Sequence, residues 1–176
     1  LTQLRLLHYP YVESDNLEDQ QGVEAHTDTG AFTILMQDDI SGLEIKARDG
    51  IWLAASPIED AFVINVGRLF EIFCREAFPA TIHRVRYTPD KTAKPETSQP
   101  RISLALFFAP DWDVTVVPPS ALRAPGVGQV RSVQSGPHIL FGYRWQQYVN
   151  SGEIPDVAAA KRKALEDIAV LANHDP

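Results

Sequence analysis

Apolar residues along this chain come in short runs cut by turn-forming residues, a pattern of strands rather than of long helices. Leu4 to Tyr9 reads as a strand closed by Pro10, which cannot donate to a ladder. Glu13 to Gln21 is polar and reads as a loop. Ala31 to Met36 is a second strand, stopped at an Asp38-Asp39 turn. Leu43 to Lys46 alternates, and Asp49-Gly50 then turns into Ile51-Trp52-Leu53, the strongest hairpin signal in the chain. Ala61 to Val66 is an apolar run, which predicts a strand buried on both faces.

Beyond Gly67 the pattern shifts. Leu69, Phe70, Ile72 and Phe73 suit a short helix ending near Pro79, with Cys74 buried on it and Trp52 read as core. Thr81 to Tyr87 alternates again. Thr88 to Pro100 is rich in Pro, Lys, Thr and Ser, and reads as a loop placed to act as a lid. Arg101 to Phe108 predicts a strand, Val114 to Val117 another, and Gly126 to Gly136 a loop. Leu140 to Val149 and the Ala-rich Val157 to Leu171 predict helices. Many short strands and a helical tail imply a mainly β fold: a double-sheet jelly roll with flanking and C-terminal helices.

Composition narrows the partners more than the fold. The 176 residues suit one domain, with a core over about 1–120 and a helical extension over about 137–173. A net charge of −7 and a pI near 5.1 argue against nucleic acid as the partner. No apolar run approaches the roughly 20 residues of a membrane helix. The single Cys74 excludes an intrachain disulfide framework and fits a reducing compartment. The expectation is a cytoplasmic monomer handling a small molecule. The chain begins at Leu1, which reads as a piece of a longer protein.

Candidate chemistry concentrates in two places. His26-Thr27-Asp28 is followed, 55 positions after Asp28, by His83, and 18 positions later by Arg101-Ile102-Ser103. Two imidazoles and one carboxylate can occupy one face of a six-coordinate ferrous ion and leave three positions open. His26 and Asp28, two apart, would share a face if they lay in one strand, with His83 on a strand opposite. Each piece alone is weak. Five His and thirteen Asp in this length give a His-x-Asp by chance about 0.4 times. The order of the pieces, and the strands beside them, make the signal.

That order resembles the isopenicillin N synthase-like branch of the iron(II)/2-oxoglutarate-dependent oxygenases. The resemblance is carried by Gly22-Val23-Glu24-Ala25-His26-Thr27-Asp28, Leu35 to Asp39, Gly42 to Ile45, Ile64-Asn65-Val66-Gly67, Thr81 to Val85, Arg101 to Leu104 and Phe107-Phe108. It implies a double-stranded β-helix, Fe(II) on His26, Asp28 and His83, and 2-oxoglutarate held by Arg101 and Ser103 with help from Tyr9. It also implies O2 as co-substrate and a ferryl-oxo intermediate that hydroxylates, desaturates or otherwise oxidises a small organic substrate, as in secondary metabolism. A guanidinium forking onto a carboxylate, beside a serine hydroxyl, suits the anchor role. Leu7 stands where the family often has Asn, and the resemblance implies an N-terminal region expected to be missing from this sequence.

Phe107, on the face of Arg101 and Ser103, is a candidate substrate residue, as is Phe32. His8 falls on the opposite face from Tyr9 and reads as structural. Lys161-Arg162-Lys163 reads as a solvated helix face. Two rivals stand beside the main reading. One is an Fe(II) oxidase of the same fold that uses no 2-oxoglutarate, like isopenicillin N synthase or aminocyclopropane-carboxylate oxidase. The other is a non-catalytic metal- or small-molecule-binding jelly roll. A structural zinc site fits poorly, because such sites favour four tetrahedral ligands that commonly include Cys.

Overall fold

The computed structural model describes residues 1–10, 21–86, 99–119 and 132–172. Eight strands form two four-stranded antiparallel sheets. β1 (Gln3–Tyr9), β3 (Phe32–Gln37), β6 (Val63–Val66) and β8 (Arg101–Phe108) make one, in the order β1-β8-β3-β6. β2 (Gln21–His26), β4 (Leu43–Lys46), β5 (Trp52–Ala54) and β7 (His83–Arg86) make the other, in the order β2-β7-β4-β5. Successive strands thus alternate between sheets except at the β4–β5 hairpin, where Asp49 and Gly50 make the expected turn. β9 (Thr115–Val116) and β10 (Val133–Gln134) pair separately. Helix α1 (Arg68–Phe73) follows β6, and α2 (Ser135–Asn150) and α3 (Val157–Ala172) close the chain. Among the described residues no helix is long and apolar enough to cross a membrane.

The two sheets meet through Tyr9 of β1, Leu43 of β4 and Val85 of β7, with Leu7, Val23, Leu35 and Val63 packed around them. A second apolar cluster of Leu69, Ala109, Val116 and Ile139 seats α1 and α2 at one end. α2 comes very close to the loop after β2: a Cβ on Gly142 would overlap the Thr29 side chain.

Several elements differ from what the sequence pattern predicts. The run from Ala61 to Val66 is not buried on both faces. β6 is an edge strand, and Phe62 and Ile64 on its outer side are exposed. α1 stops at Phe73, well short of Pro79, because Arg75 and Glu76 take left-handed backbone angles (φ 54° and 64°) that no helix continues. Cys74 is buried as expected but forms the C-cap of that helix. Trp52 lies on the sheet surface rather than in the core, clothed by Arg84 at 3.9 Å and Lys46 at 5.7 Å from its ring. Of the predicted 126–136 loop, Val133 and Gln134 form β10 and Gly136 lies in α2. The polar loop before β2 and the lid segment 88–98 fall outside the described residues, although Gln21 itself opens β2.

Candidate metal centre and co-substrate pocket

Asp28 does not share a strand with His26. β2 ends at His26, and Asp28 lies in the irregular stretch that follows. Nor does His83 come from a facing strand: β2 and β7 are neighbours, and His26 and His83 are direct partners across that ladder. Side chains of directly opposed residues leave the sheet on the same side, so the two rings sit with centroids 4.3 Å apart. The four strands between them in sequence, β3 to β6, are what the 55-residue gap holds.

The three side chains converge. Asp28 Oδ1 lies 3.6 Å from His26 Nε2 and 3.7 Å from His83 Nε2, and the three donor atoms lie within 4.8 Å of one another. What surrounds them leaves those atoms available. His26 Nδ1 is 2.8 Å from the Glu24 carbonyl and His83 Nδ1 is 3.0 Å from the Thr81 carbonyl. A carbonyl can only accept, so each Nδ1 carries a proton, and in the neutral imidazole each Nε2 keeps its lone pair. The other carboxylate oxygen, Asp28 Oδ2, accepts from Thr33 Oγ1 at 2.5 Å and Asn65 Nδ2 at 2.6 Å. Oδ1 alone is turned to the imidazoles. Burial opposes a charge on Asp28, but the hydrogen bond to His26, the nearness of His83, and the Thr33 and Asn65 donors together lower its pKa to about 2. For His26, burial is outweighed by Asp28 and the Glu24 carbonyl, which raise its pKa; for His83, burial prevails and lowers it.

Arg101 opens β8 and is fully buried. Its Nη2 donates to Gln37 Oε1 at 2.9 Å, its Nη1 lies 3.4 Å from Ser103 Oγ, and its Cζ stands 5.1 Å from the centre of the Tyr9 ring. Among the described residues Nε has no partner and no carboxylate pairs with the guanidinium. Burial pulls this guanidinium below its ordinary pKa, against Tyr9 and Asp38, yet an arginine stays charged in proteins. A buried charge without its counter-ion is costly, by several kcal/mol. The pocket is therefore built for an anion. Gly42 makes room for it: a Cβ there would come 3.1 Å from Arg101 Cδ and 3.0 Å from the Arg86 carbonyl.

The metal triad, Arg101, Ser103 and Tyr9 all border one cavity of about 1090 Å³ between the sheets. Phe107 borders it on the same inward row. Phe32 borders it too, but is stacked on Phe108 at 4.7 Å, and the ladder places that pair on the alternate face from Phe107. His8 is exposed, on the outward face. Asp38 is the predicted turn residue, accepting from the Ile40 and Ile102 backbone N–H groups. The Lys161-Arg162-Lys163 face is exposed.

Sequence reasoning missed the supporting residues. Asn65 and Thr33, which hold Asp28, and Gln37, which holds Arg101, are polar side chains inside otherwise apolar strands. That was their signal, since a polar group placed on a core-facing row needs a partner there. The sequence also predicts α2 as a helix but not as a wall of the cavity, which it lines with Ile139, Tyr143 and Gln146.

Residues 2–110 match the family model described as the 2OG-Fe(II) oxygenase superfamily. The chain belongs to this superfamily. Among curated relatives, it is 33% identical over 142 residues to homoarginine-6-hydroxylase 2-ODD-233 of Oryza sativa subsp. japonica, covering 77% of this chain and 40% of that protein. It is 34% identical over 123 residues to thebaine 6-O-demethylase of Papaver somniferum, covering 69% and 31%. Among solved structures, a full-length Neurospora crassa protein in complex with alpha-KG superposes with a TM-score of 0.69 at 30% identity, covering 78% of this chain and 46% of that one. A rice dioxygenase for auxin oxidation gives 0.64 at 26% identity, covering 86% and 47%. The chain thus spans less than half the length of these relatives. Fe(II) and 2-oxoglutarate, which name the superfamily, fit what this chain offers: an N,N,O donor set, and a buried cation with no carboxylate paired to it among the described residues.

Proposed function

We propose that this chain is the catalytic core of an Fe(II)- and 2-oxoglutarate-dependent dioxygenase acting on a small organic molecule, and that its two sheets form the double-stranded β-helix of that class, one oxygenase domain over residues 1–176. The strand orders β1-β8-β3-β6 and β2-β7-β4-β5 support the fold. The observation that carries the function is the fully buried Arg101, with no carboxylate paired to it among the described residues, in the same cavity as the His26, Asp28 and His83 donors.

In this reading His26 Nε2, His83 Nε2 and Asp28 Oδ1 hold the metal, and Arg101 with Ser103 takes the distal carboxylate of 2-oxoglutarate. Bound together, metal and co-substrate supply oxygen activation driven by oxidative decarboxylation. The chain's own residues supply position. Thr33 and Asn65 fix the carboxylate so that one oxygen faces the metal. The Glu24 and Thr81 carbonyls fix both imidazole tautomers. Gln37 and Tyr9 fix the guanidinium. The inward apolar residues Leu7, Leu35 and Val85 limit water around the site.

The test is substrate-dependent conversion of 2-oxoglutarate to succinate by the purified, iron-loaded protein, compared with His83→Ala. Turnover lost in the variant supports the assignment. Full iron-dependent turnover in the variant sinks it.

A further inference from the structure

β1 carries a cation that neither the metal centre nor the co-substrate anchor uses. Gln3, Arg5, Leu7 and Tyr9 alternate onto one face of β1 and all border the cavity, Tyr9 buried and Gln3 and Arg5 exposed at its open side. Arg5 is level with Ala105 on β8, four residues from Arg101, which is about 13 Å at the usual strand rise. Thr33, which holds Asp28, is level with Phe107 on the other side of β8. Arg5 therefore stands toward the metal end of the cavity, two strands across (about 10 Å) and two residues along (about 7 Å) from Thr33.

Its present partners leave it half used. Nε and Nη2 both donate to Gln3 Oε1, at 3.2 and 2.7 Å, and Cζ lies 5.2 Å from the centre of the Phe107 ring. No carboxylate pairs with it among the described residues. Gln3 thus occupies the Nε edge of the guanidinium. The Nη1–Nη2 edge stays open to fork onto a carboxylate. Glu24 also borders the cavity, but from β2 in the other sheet, and forms no ion pair with Arg5.

We propose that Arg5 receives the carboxylate of the organic substrate, whose apolar body lies along Phe107, so that this oxygenase acts on small organic monoacids. The proposal rests on the dioxygenase reading and names the substrate class of the same site. One cation matches one negative charge. With Arg101 committed to the co-substrate, the described lining offers no second Lys or Arg for the second charge of a phosphate monoester.

The test uses the full chain loaded with Fe(II) and 2-oxoglutarate. Phenylacetate, 4-phenylbutyrate and 2-naphthylacetate are compared with their primary amides and with phenyl phosphate. Binding is read anaerobically by tryptophan fluorescence, and succinate release is read in air. Acids should bind about tenfold or more tighter than their amides, as a charge-assisted fork implies, and should raise succinate release. Arg5→Gln should abolish the preference and Arg5→Lys should keep part of it, with circular dichroism confirming both variants folded. Equal binding of acids and amides, no binding of any acid, tighter binding of phenyl phosphate, or a preference that survives Arg5→Gln overturns the proposal. Failure of the underlying reading looks different: the Fe(II)-loaded wild type would then not bind 2-oxoglutarate.

Discussion

Asn65 donates its side-chain amide to Oδ2 of Asp28 at 2.6 Å, from a strand in one sheet to the loop that follows a strand of the other. That bond decides which carboxylate oxygen faces the imidazoles. Removing it in Asn65→Ala should weaken metal binding by about 10- to 100-fold, the usual cost of losing a partner behind a metal ligand. Anaerobic Fe(II) or Mn(II) titration measures this directly. Unchanged affinity would mean that Thr33 alone suffices.

Gln37 bridges the co-substrate pocket to the second sheet. Its amide oxygen accepts from Arg101 Nη2, and its amide nitrogen donates to the Ala55 carbonyl at 3.2 Å. Gln37→Leu should raise the KM for 2-oxoglutarate by about five- to thirtyfold, the worth of a hydrogen bond to a charged group less some compensation by water. The kcat at saturating 2-oxoglutarate should change much less, because Gln37 touches the anchor and not the metal ligands. A fall in kcat with unchanged KM would assign Gln37 a different role.

Metal should stabilise the fold, because the triad ties the β2–β7 ladder to the loop before β3. At a free metal concentration of about 100 times Kd, the gain is about 2.7 kcal/mol. Thermal melts with Mn(II) and with a chelator should separate accordingly for wild type. They should coincide for Asp28→Ala.

Gly67 packs where no side chain fits. A Cβ there would overlap the Gly30 carbonyl, and the Gly67 N–H donates to the Ala31 carbonyl at 2.8 Å. Gly67→Ala should destabilise by about 1–3 kcal/mol, as overpacking does. Because Arg68 N–H donates to the Asp28 carbonyl at 2.8 Å, metal affinity should fall as well. A melting temperature equal to that of wild type would contradict the packing.

Most of the architecture was legible because strands announce themselves locally. Alternation in Leu43 to Lys46 and in Arg101 to Phe108 needs only the period of two. Exposure was less legible. The apolar run over 61–66 looks buried in sequence, but its position at the edge of the β1-β8-β3-β6 sheet leaves Phe62 and Ile64 uncovered among the described residues. At the site, His26, Asp28, His83, Arg101, Ser103 and Tyr9 were all named from sequence and all border one cavity. Their geometry was not legible, since strand adjacency is a property of topology. His26 and His83 are ladder partners because β7 returns beside β2. The partners of the supporting residues were hidden for the same reason: Asn65 reaches Asp28 across 37 positions and Gln37 reaches Arg101 across 64.

The central claim is that the buried Arg101 waits for the carboxylate of 2-oxoglutarate beside a metal held by His26, Asp28 and His83. Anaerobic titration calorimetry of 2-oxoglutarate into the Fe(II)-loaded protein tests it most directly, with Arg101→Leu as comparison. The account predicts saturable one-to-one binding in wild type, lost on metal removal and weakened at least about 100-fold in the variant, as for a broken buried ion pair. Equal binding by both proteins, or none by the metal-loaded wild type, would contradict it.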